Sequence, residues 1–280
     1  MSENVLRPGH VAVVTGAASG IGAALAAAFG ELGMRVVLAD VEAEALERVA
    51  SMLRAKSVDA LALPTDVADA EAVDRLARTS VERFGRVDVL CNNAGVSTFN
   101  ALADQTLADW RWVLDVNLWG VVHGIRSFMP ILRAQGRPAH IVSTSSVAGL
   151  WSGVPFIGPY AVSKVGVVSL SETLRDELQA EGSEVRVSVL CPGSVTTNVM
   201  EAERNRPAAL GSELRTPVAE QVRLMIRDGL SGPDGKSPEQ VAAIVLEGIR
   251  RDRFWILTHA TTRAALEARF AAILAAIPED

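Results

Sequence analysis

The sequence predicts an α/β fold: a doubly wound parallel sheet of seven strands with helices on both faces, formed as a single domain over residues 1–280. Three observations predict it. Short β-branched runs alternate with longer alanine- and leucine-rich stretches of helical period, the pattern that builds a parallel sheet buried on both sides. No Pro/Gly/Ser linker, repeat or low-complexity tract breaks the alternation. Hydrophobic residues make up 49% and charged residues 21%, which is ordinary globular usage and excludes a disordered or disulfide-scaffold chain.

The elements follow in order. The first strand, His10–Thr15 (HVAVVT), runs into a glycine-rich turn and an alanine-rich helix over 21–32. Arg35–Ala39 (RVVLA) and a helix over 42–55 come next, then Ala60–Leu63 and a helix over 69–83. Val87–Cys91 leads to a long helical stretch over 106–133. His140–Ser143 precedes a helix over 160–180, and Val185–Leu190 is the sixth strand. A helix over 238–250, the strand Phe254–Leu257 (FWIL) and a C-terminal helix over 260–280 complete the pattern. Residues 194–236 depart from the alternation, with one short helix near 217–229. In an open parallel sheet ligands bind beyond the carboxyl ends of the strands, so this insertion is expected to be a mobile lid over the pocket.

Charge and composition narrow the partners. With 27 basic and 33 acidic residues the net charge is −6, and no long run of either sign could grip a phosphate backbone or an anionic bilayer. Neither nucleic acid nor membrane is expected. No stretch reaches the roughly 18 uninterrupted apolar residues of a membrane span, and Met1–His10 lacks the features of a signal peptide, so a cytoplasmic protein is expected. Cys91 and Cys191 end apolar runs and read as buried, reduced thiols with a strand between them. The histidines at 10, 123, 140 and 259 share no ligand spacing, so no metal site is expected.

Directly after the first strand comes Thr15-Gly16-Ala17-Ala18-Ser19-Gly20-Ile21-Gly22. Glycines let the backbone approach a pyrophosphate, and the helix start offers free N–H groups and the positive end of its dipole. The strand before and the helix after make this G-x-x-x-G-x-G cluster a phosphate cradle. Asp40 ends the second strand eighteen residues beyond Gly22, near the spacing of about 20 expected of a carboxylate that binds the adenosine ribose. A carboxylate there repels the 2′-phosphate of NADP, and neither Ala39 nor Val41 supplies an arginine for it, so NAD is the expected cofactor. Asp40 could also cap the following helix, and one residue can do both.

Tyr160, the only tyrosine, lies four residues before Lys164 in GPYAVSK. On a helix the two share a face, so the ammonium is expected to lower the phenol from its usual value near 10 and make it an acid or base near neutral pH. Around this pair stand CNNAG at 91–95, Asn117 in DVNLWG, Ser145-Ser146 in IVSTSSVAG and CPGSVTT at 191–197. With all of these motifs in order over about residues 8–200, the sequence resembles the short-chain dehydrogenase/reductase superfamily in its compact one-domain branch, which has a Rossmann-type fold.

The resemblance implies roles. Tyr160 matches the general acid/base, Lys164 the residue that tunes it and bonds the nicotinamide ribose, and Ser146 the hydroxyl that holds the substrate oxygen. Asn117 matches an asparagine whose helix distortion holds a water linking Lys164 to solvent, with polar helix packing as a rival role. For the cofactor, Gly16, Ser19, Gly20, Ile21 and Gly22 form the phosphate turn, and Asp66 and Val67 match the pair at the adenine. Asn93, Ala94 and Gly95 match the motif beside the adenosine, Pro192 and Gly193 the turn under the nicotinamide, and Val195 and Thr197 the groups that receive its carboxamide. Pro159 replaces the small polar residue that often precedes the tyrosine, which is expected to alter pocket shape and leave the chemistry intact.

The implied reaction is reversible hydride transfer between nicotinamide and a secondary alcohol or ketone, with oxidation the expected direction for NAD. Ser97, Thr98, Phe99, Trp151, Val154, Phe156, Val199 and Met200 are candidate pocket residues, and their apolar character suggests a hydrophobic aryl or alicyclic small molecule. The segments NVMEAERNRPAALG and FWILTHATTRAALEARFAAIL resemble, more distantly, enzymes that oxidise benzylic alcohols of lignin-derived aryl ethers. Trp110, Trp112 and Trp119 read as core or subunit-contact residues. The resemblance also implies a homo-oligomer, a tetramer or dimer, joined through the 106 and Tyr160 helices. The alternative reading is a catalytically silent NAD-binding regulator or scaffold on the same fold; such proteins usually lose one member of the Ser/Tyr/Lys set, and all three are present here.

Overall fold

Seven parallel strands run in the order β3-β2-β1-β4-β5-β6-β7 through the computed structural model, which describes residues 5–151 and 154–278. They are β1 Val11–Thr15, β2 Arg35–Asp40, β3 Ala60–Pro64, β4 Val89–Asn92, β5 Ala139–Thr144, β6 Val185–Cys191 and β7 Trp255–Leu257. Strand β1 is wholly buried, because helices cover both of its faces and every side chain of VAVVT meets protein. The helices are α1 Gly20–Glu31, α2 Ala43–Ala55, α3 Ala70–Phe84, α4 Leu107–Leu114, α5 Gly120–Gln135, α6 Ala148–Trp151, α7 Gly158–Ala180, α8 Pro217–Leu230, α9 Pro238–Arg250 and α10 Thr262–Leu274.

Two apolar clusters sandwich the sheet. One joins α1, α2 and α9 to the sheet through residues such as Leu25, Phe29, Leu46 and Val245. The other joins α3, α5 and α7 to it through Leu76, Phe128, Leu132 and Leu178. Strand order reverses between β1 and β4, and the carboxyl ends of β1, β2, β4, β5 and β6 open into one crevice there. Cys91 and Cys191 are buried and free, with β5 between their strands.

The stretch over 106–133 is not one regular helix. Helices α4 and α5 are joined by a π-helical turn at Asp115–Trp119, a rare form that concentrates at functional sites. Within it the Asn117 amide accepts from the Val96 N–H at 2.8 Å and donates to the Val96 carbonyl at 3.0 Å, pinning the bulge to the chain leaving β4. The insertion over 194–236 contains 3-10 turns at Asn198–Asn205 and Ala208–Leu210 followed by α8. Of the C-terminal helix expected over 260–280, α10 covers Thr262–Leu274, and residues 279–280 lie outside the described residues, as do 1–4 and 152–153 of the expected domain.

Candidate active site

The floor of the crevice is built from β1 outward. Gly16 has φ +66°, and a Cβ there would lie 2.8 Å from the Ala94 Cα, so backbone meets backbone where a side chain cannot fit. At Gly22 an added Cβ would come within 2.0 Å of the Gly16 carbonyl oxygen. The turn is therefore closed on itself and opens straight into α1, whose N-cap Ser19 makes no side-chain capping bond.

Asp40 ties this turn to the next strand. One carboxylate oxygen accepts from the Ala18 N–H and the other from the Glu42 N–H, both at 3.0 Å. It thus braces the entry to α2 while lining the crevice, so the two roles open to it in the sequence are compatible. Thr15 links the motif at β4: its hydroxyl accepts from the N–H groups of Asn93 and Ala94, and the Asn93 amide donates to the Thr15 carbonyl at 3.0 Å. The Asp66 carboxylate accepts from the Ala68 N–H, and the Val67 carbonyl is bonded to the His123 ring.

Helix α7 carries Tyr160 and Lys164 on one face. The Lys164 ammonium donates to the Thr144 carbonyl at the end of β5, at 2.8 Å, and lies 5.5 Å from the centroid of the Tyr160 ring. Ser145 donates to the Lys164 carbonyl, and Ser163, one turn beyond Tyr160, donates to the Tyr160 carbonyl and accepts from Asn117. Asn117 therefore braces the start of α7 from behind, the packing role its sequence context left open.

The electrostatics correct one expectation. Burial pushes the Tyr160 phenol above its ordinary value, with Cys191 adding to the rise, and the hydrogen bond from the Ser146 hydroxyl acts against it. The expected lowering by Lys164 is absent because desolvation of the phenolate dominates. Burial also brings the Lys164 ammonium down to about 8. The two shifts move the groups apart, the phenol above its ordinary value and the ammonium below its own, so the phenol stays protonated near neutral pH.

These residues surround a cavity of about 580 Å³. Gly16, Ser19, Gly20, Ile21, Asp40, Asp66, Val67, Asn93, Ala94, Gly95, Ser146, Tyr160, Lys164, Pro192, Gly193, Val195 and Thr197 all line it. Gly22 and Asn117 stand behind the wall, one shaping the turn and the other bracing α7. Of the candidate pocket residues, Ser97, Trp151, Val154, Val199 and Met200 reach the lining. Thr98, Phe99 and Phe156 do not: Thr98 is buried against Gln105, and Phe99 packs in a cluster with Ala148 and Ile157, beside Tyr160 and Met200.

Trp112 was expected in the core or at a subunit contact, yet it forms part of the cavity wall, packed with Val96, Ala202, Tyr160 and Leu210. The Arg206 guanidinium lies over its ring, 5.3 Å from the centroid, and is paired at 2.7 Å with Asp109. Leu210, Pro207, Ile226 and Leu230 from the insertion also line the cavity. Only the insertion's contacts across the fold identify these residues, because no local spacing in the sequence marks them.

The donor set fits a dinucleotide: the cradle that a Cβ would fill suits a pyrophosphate, and Asp40 faces the same space one strand away. Comparisons with known proteins identify the family. A family model described as short chain dehydrogenase matches residues 10–208. A 1-deoxy-11-beta-hydroxypentalenate dehydrogenase from Streptomyces exfoliatus is 38% identical over 263 residues, 93% of this chain and 87% of that protein. A C alpha-dehydrogenase from a Sphingobium species is 35% identical over 266 residues, 95% of this chain and 85% of that one. The crystal structure of a short chain dehydrogenase/reductase from Burkholderia phymatum in complex with NAD superposes with a TM-score of 0.92 at 43% identity, covering 98% of this chain and 97% of that one.

Proposed function

The chain belongs to the short-chain dehydrogenase/reductase family and is an oxidoreductase of alcohol and ketone groups; from that premise we propose that it interconverts a hydrophobic secondary alcohol and its ketone with NAD as cofactor. The observation that carries this reading is the convergence of the Tyr160 phenol and the Ser146 hydroxyl on a cavity that begins at the glycine turn and Asp40. The nicotinamide, when bound, accepts or supplies the hydride.

The residues of the chain do the rest. Tyr160 exchanges the proton of the substrate hydroxyl, and Ser146 donates to the substrate oxygen as negative charge builds on it. Lys164 holds a positive group beside the phenol and bonds the nicotinamide ribose, while Asn117 keeps α7 seated through Ser163. Gly16, Ser19, Gly20, Ile21 and Gly22 receive the pyrophosphate, Asp40 the adenosine ribose, and Asp66 and Val67 the adenine. Asn93, Ala94 and Gly95 steady the floor, and Pro192, Gly193, Val195 and Thr197 hold the carboxamide end.

NAD is favoured because the Asp40 carboxylate repels a 2′-phosphate. An aryl or alicyclic substrate is favoured because Trp112, Trp151, Val154, Leu210 and Ile226 give the cavity apolar walls. Two relatives bear the names of a hydroxypentalenate dehydrogenase and a C alpha-dehydrogenase, in keeping with an alcohol as substrate. The insertion over 194–236 acts as the lid. Trp119, Val162 and Val165 are exposed apolar residues on and beside α5 and on α7, and they suit a helix-to-helix contact in a homotetramer or dimer. The test is a panel of aryl, alicyclic and steroid secondary alcohols with NAD⁺, following absorbance of NADH. Turnover is expected for aryl or alicyclic members; no turnover of any secondary alcohol with either dinucleotide would defeat the reading.

A further inference from the structure

Glu42 lies two residues beyond Asp40, on the rim of the same cavity, and its carboxylate reaches across to the lid. One oxygen accepts from Arg204 at 2.7 Å and from Asn205 at 2.8 Å. Arg204 also donates to the carbonyls of Asn198 and Glu201, at 3.1 and 2.8 Å, through the terminal nitrogen that does not meet Glu42. The position of Glu42 is itself fixed, because its N–H donates to Asp40. Arg204 and Asn205 line the cavity together with Asp40, Val41 and Glu42, so a lid cation stands at the end of the crevice where the acid after β2 receives an adenosine ribose.

That arrangement bears on the choice of dinucleotide. An arginine beside the ribose is what a 2′-phosphate needs, since guanidinium and phosphate pair through two hydrogen bonds. Neither neighbour of Asp40 is an arginine, but the lid brings one by another route. We propose that Glu42 is a second determinant of cofactor choice, which excludes the 2′-phosphorylated dinucleotide by occupying Arg204. Burial alone would raise the Glu42 carboxyl, yet the bonds from Asn205 and Arg204 bring it below the ordinary carboxylate value, so the ion pair persists at neutral pH. The inference rests on the reading of the crevice as a dinucleotide site.

The test is calorimetric titration of NAD⁺ and NADP⁺ into the wild type, Glu42→Gln, Arg204→Ala and the double variant, with no turnover required. Glu42→Gln keeps the shape of the side chain and leaves the Arg204 guanidinium without its counter-ion. It is expected to tighten NADP⁺ by about five- to tenfold, as one recruited charged hydrogen bond would, while NAD⁺ stays within about threefold. In the double variant the gain for NADP⁺ is expected to vanish. A gain that survives in the double variant would overturn the role of Arg204, and unchanged NADP⁺ binding in Glu42→Gln would overturn the proposal whole. Equal weakening of both dinucleotides would do the same, because it would make Glu42 a lid fastening only. Wild-type protein that binds neither dinucleotide would instead defeat the cofactor reading itself, and this proposal with it.

Discussion

The Lys164 ammonium sits 5.5 Å from the centre of the Tyr160 ring and donates to the Thr144 carbonyl, which ties it to the end of β5. The group acting on the phenol through a hydrogen bond is Ser146. Oxidation of an alcohol needs the phenol to take a proton, and burial holds that phenol above its ordinary value. The rate of oxidation should therefore climb with pH on the alkaline side.

Removing the Ser146 hydroxyl removes what opposes the rise. Ser146→Ala should shift the alkaline limb of the kcat/KM profile for oxidation to higher pH, and lower the maximum by about a hundredfold as the substrate oxygen loses its donor. A profile recorded from pH 6 to 10 decides it; a midpoint unmoved, or moved down, would take Ser146 out of the account.

Asp40 should set most of the preference between dinucleotides. Asp40→Ala removes the carboxylate facing the ribose, so the ratio of NADP⁺ to NAD⁺ dissociation constants should narrow by about tenfold, an energy of about 1.4 kcal/mol. The same change removes the brace on Ala18 and Glu42, so NAD⁺ itself should bind more weakly. Equal affinities for the two dinucleotides in the wild type would rule this out.

The glycine turn makes a steric prediction. Gly22→Ala places a methyl 2.0 Å from the Gly16 carbonyl oxygen, which backbone cannot tolerate without reopening the turn. Dinucleotide binding should fall by about a hundredfold, an energy of about 2.7 kcal/mol, while the far-UV circular dichroism stays near that of the wild type. Binding at wild-type strength would show that the turn is not the phosphate cradle.

His140 governs stability in acid. It is buried on β5 and bonded to Ser188, which in turn donates to the Arg253 carbonyl, so the ring nitrogen is the donor to Ser188. Burial lowers it to about 3, against 6.5 for a free imidazole. The unfolded chain thus takes up a proton that the native state refuses, and the contribution of His140 to stability is complete above pH 6.5 and lost as pH falls toward 3. Urea unfolding between pH 7 and 4 should show a shallower loss for His140→Gln than for the wild type; parallel curves would contradict it.

Much of the fold was legible because a buried parallel strand writes itself as a continuous β-branched run. VAVVT and RVVLA mark β1 and β2 within a residue. Periodicity over 106–133 read as one helix, and only the resemblance pointed to a distortion at Asn117; the pairing with Val96 that holds it spans 21 residues and leaves no local mark. The motif residues around Tyr160 stand on successive strand ends, so the topology alone brings them to one crevice. Trp112, Arg204 and Glu42 were missed as wall and rim because the lid is an irregular insertion whose path no periodicity encodes. The direction of the phenol shift was misjudged because spacing reports a neighbouring charge and says nothing of desolvation.

The most direct measurement is steady-state turnover of Tyr160→Phe beside its affinity for NADH. Loss of the phenolic oxygen alone should lower kcat by at least about a hundredfold, the scale of one general acid/base group, and leave the NADH dissociation constant within about threefold of the wild type. Turnover comparable to the wild type would mean that another group carries the proton, and the assignment of Tyr160 would fail.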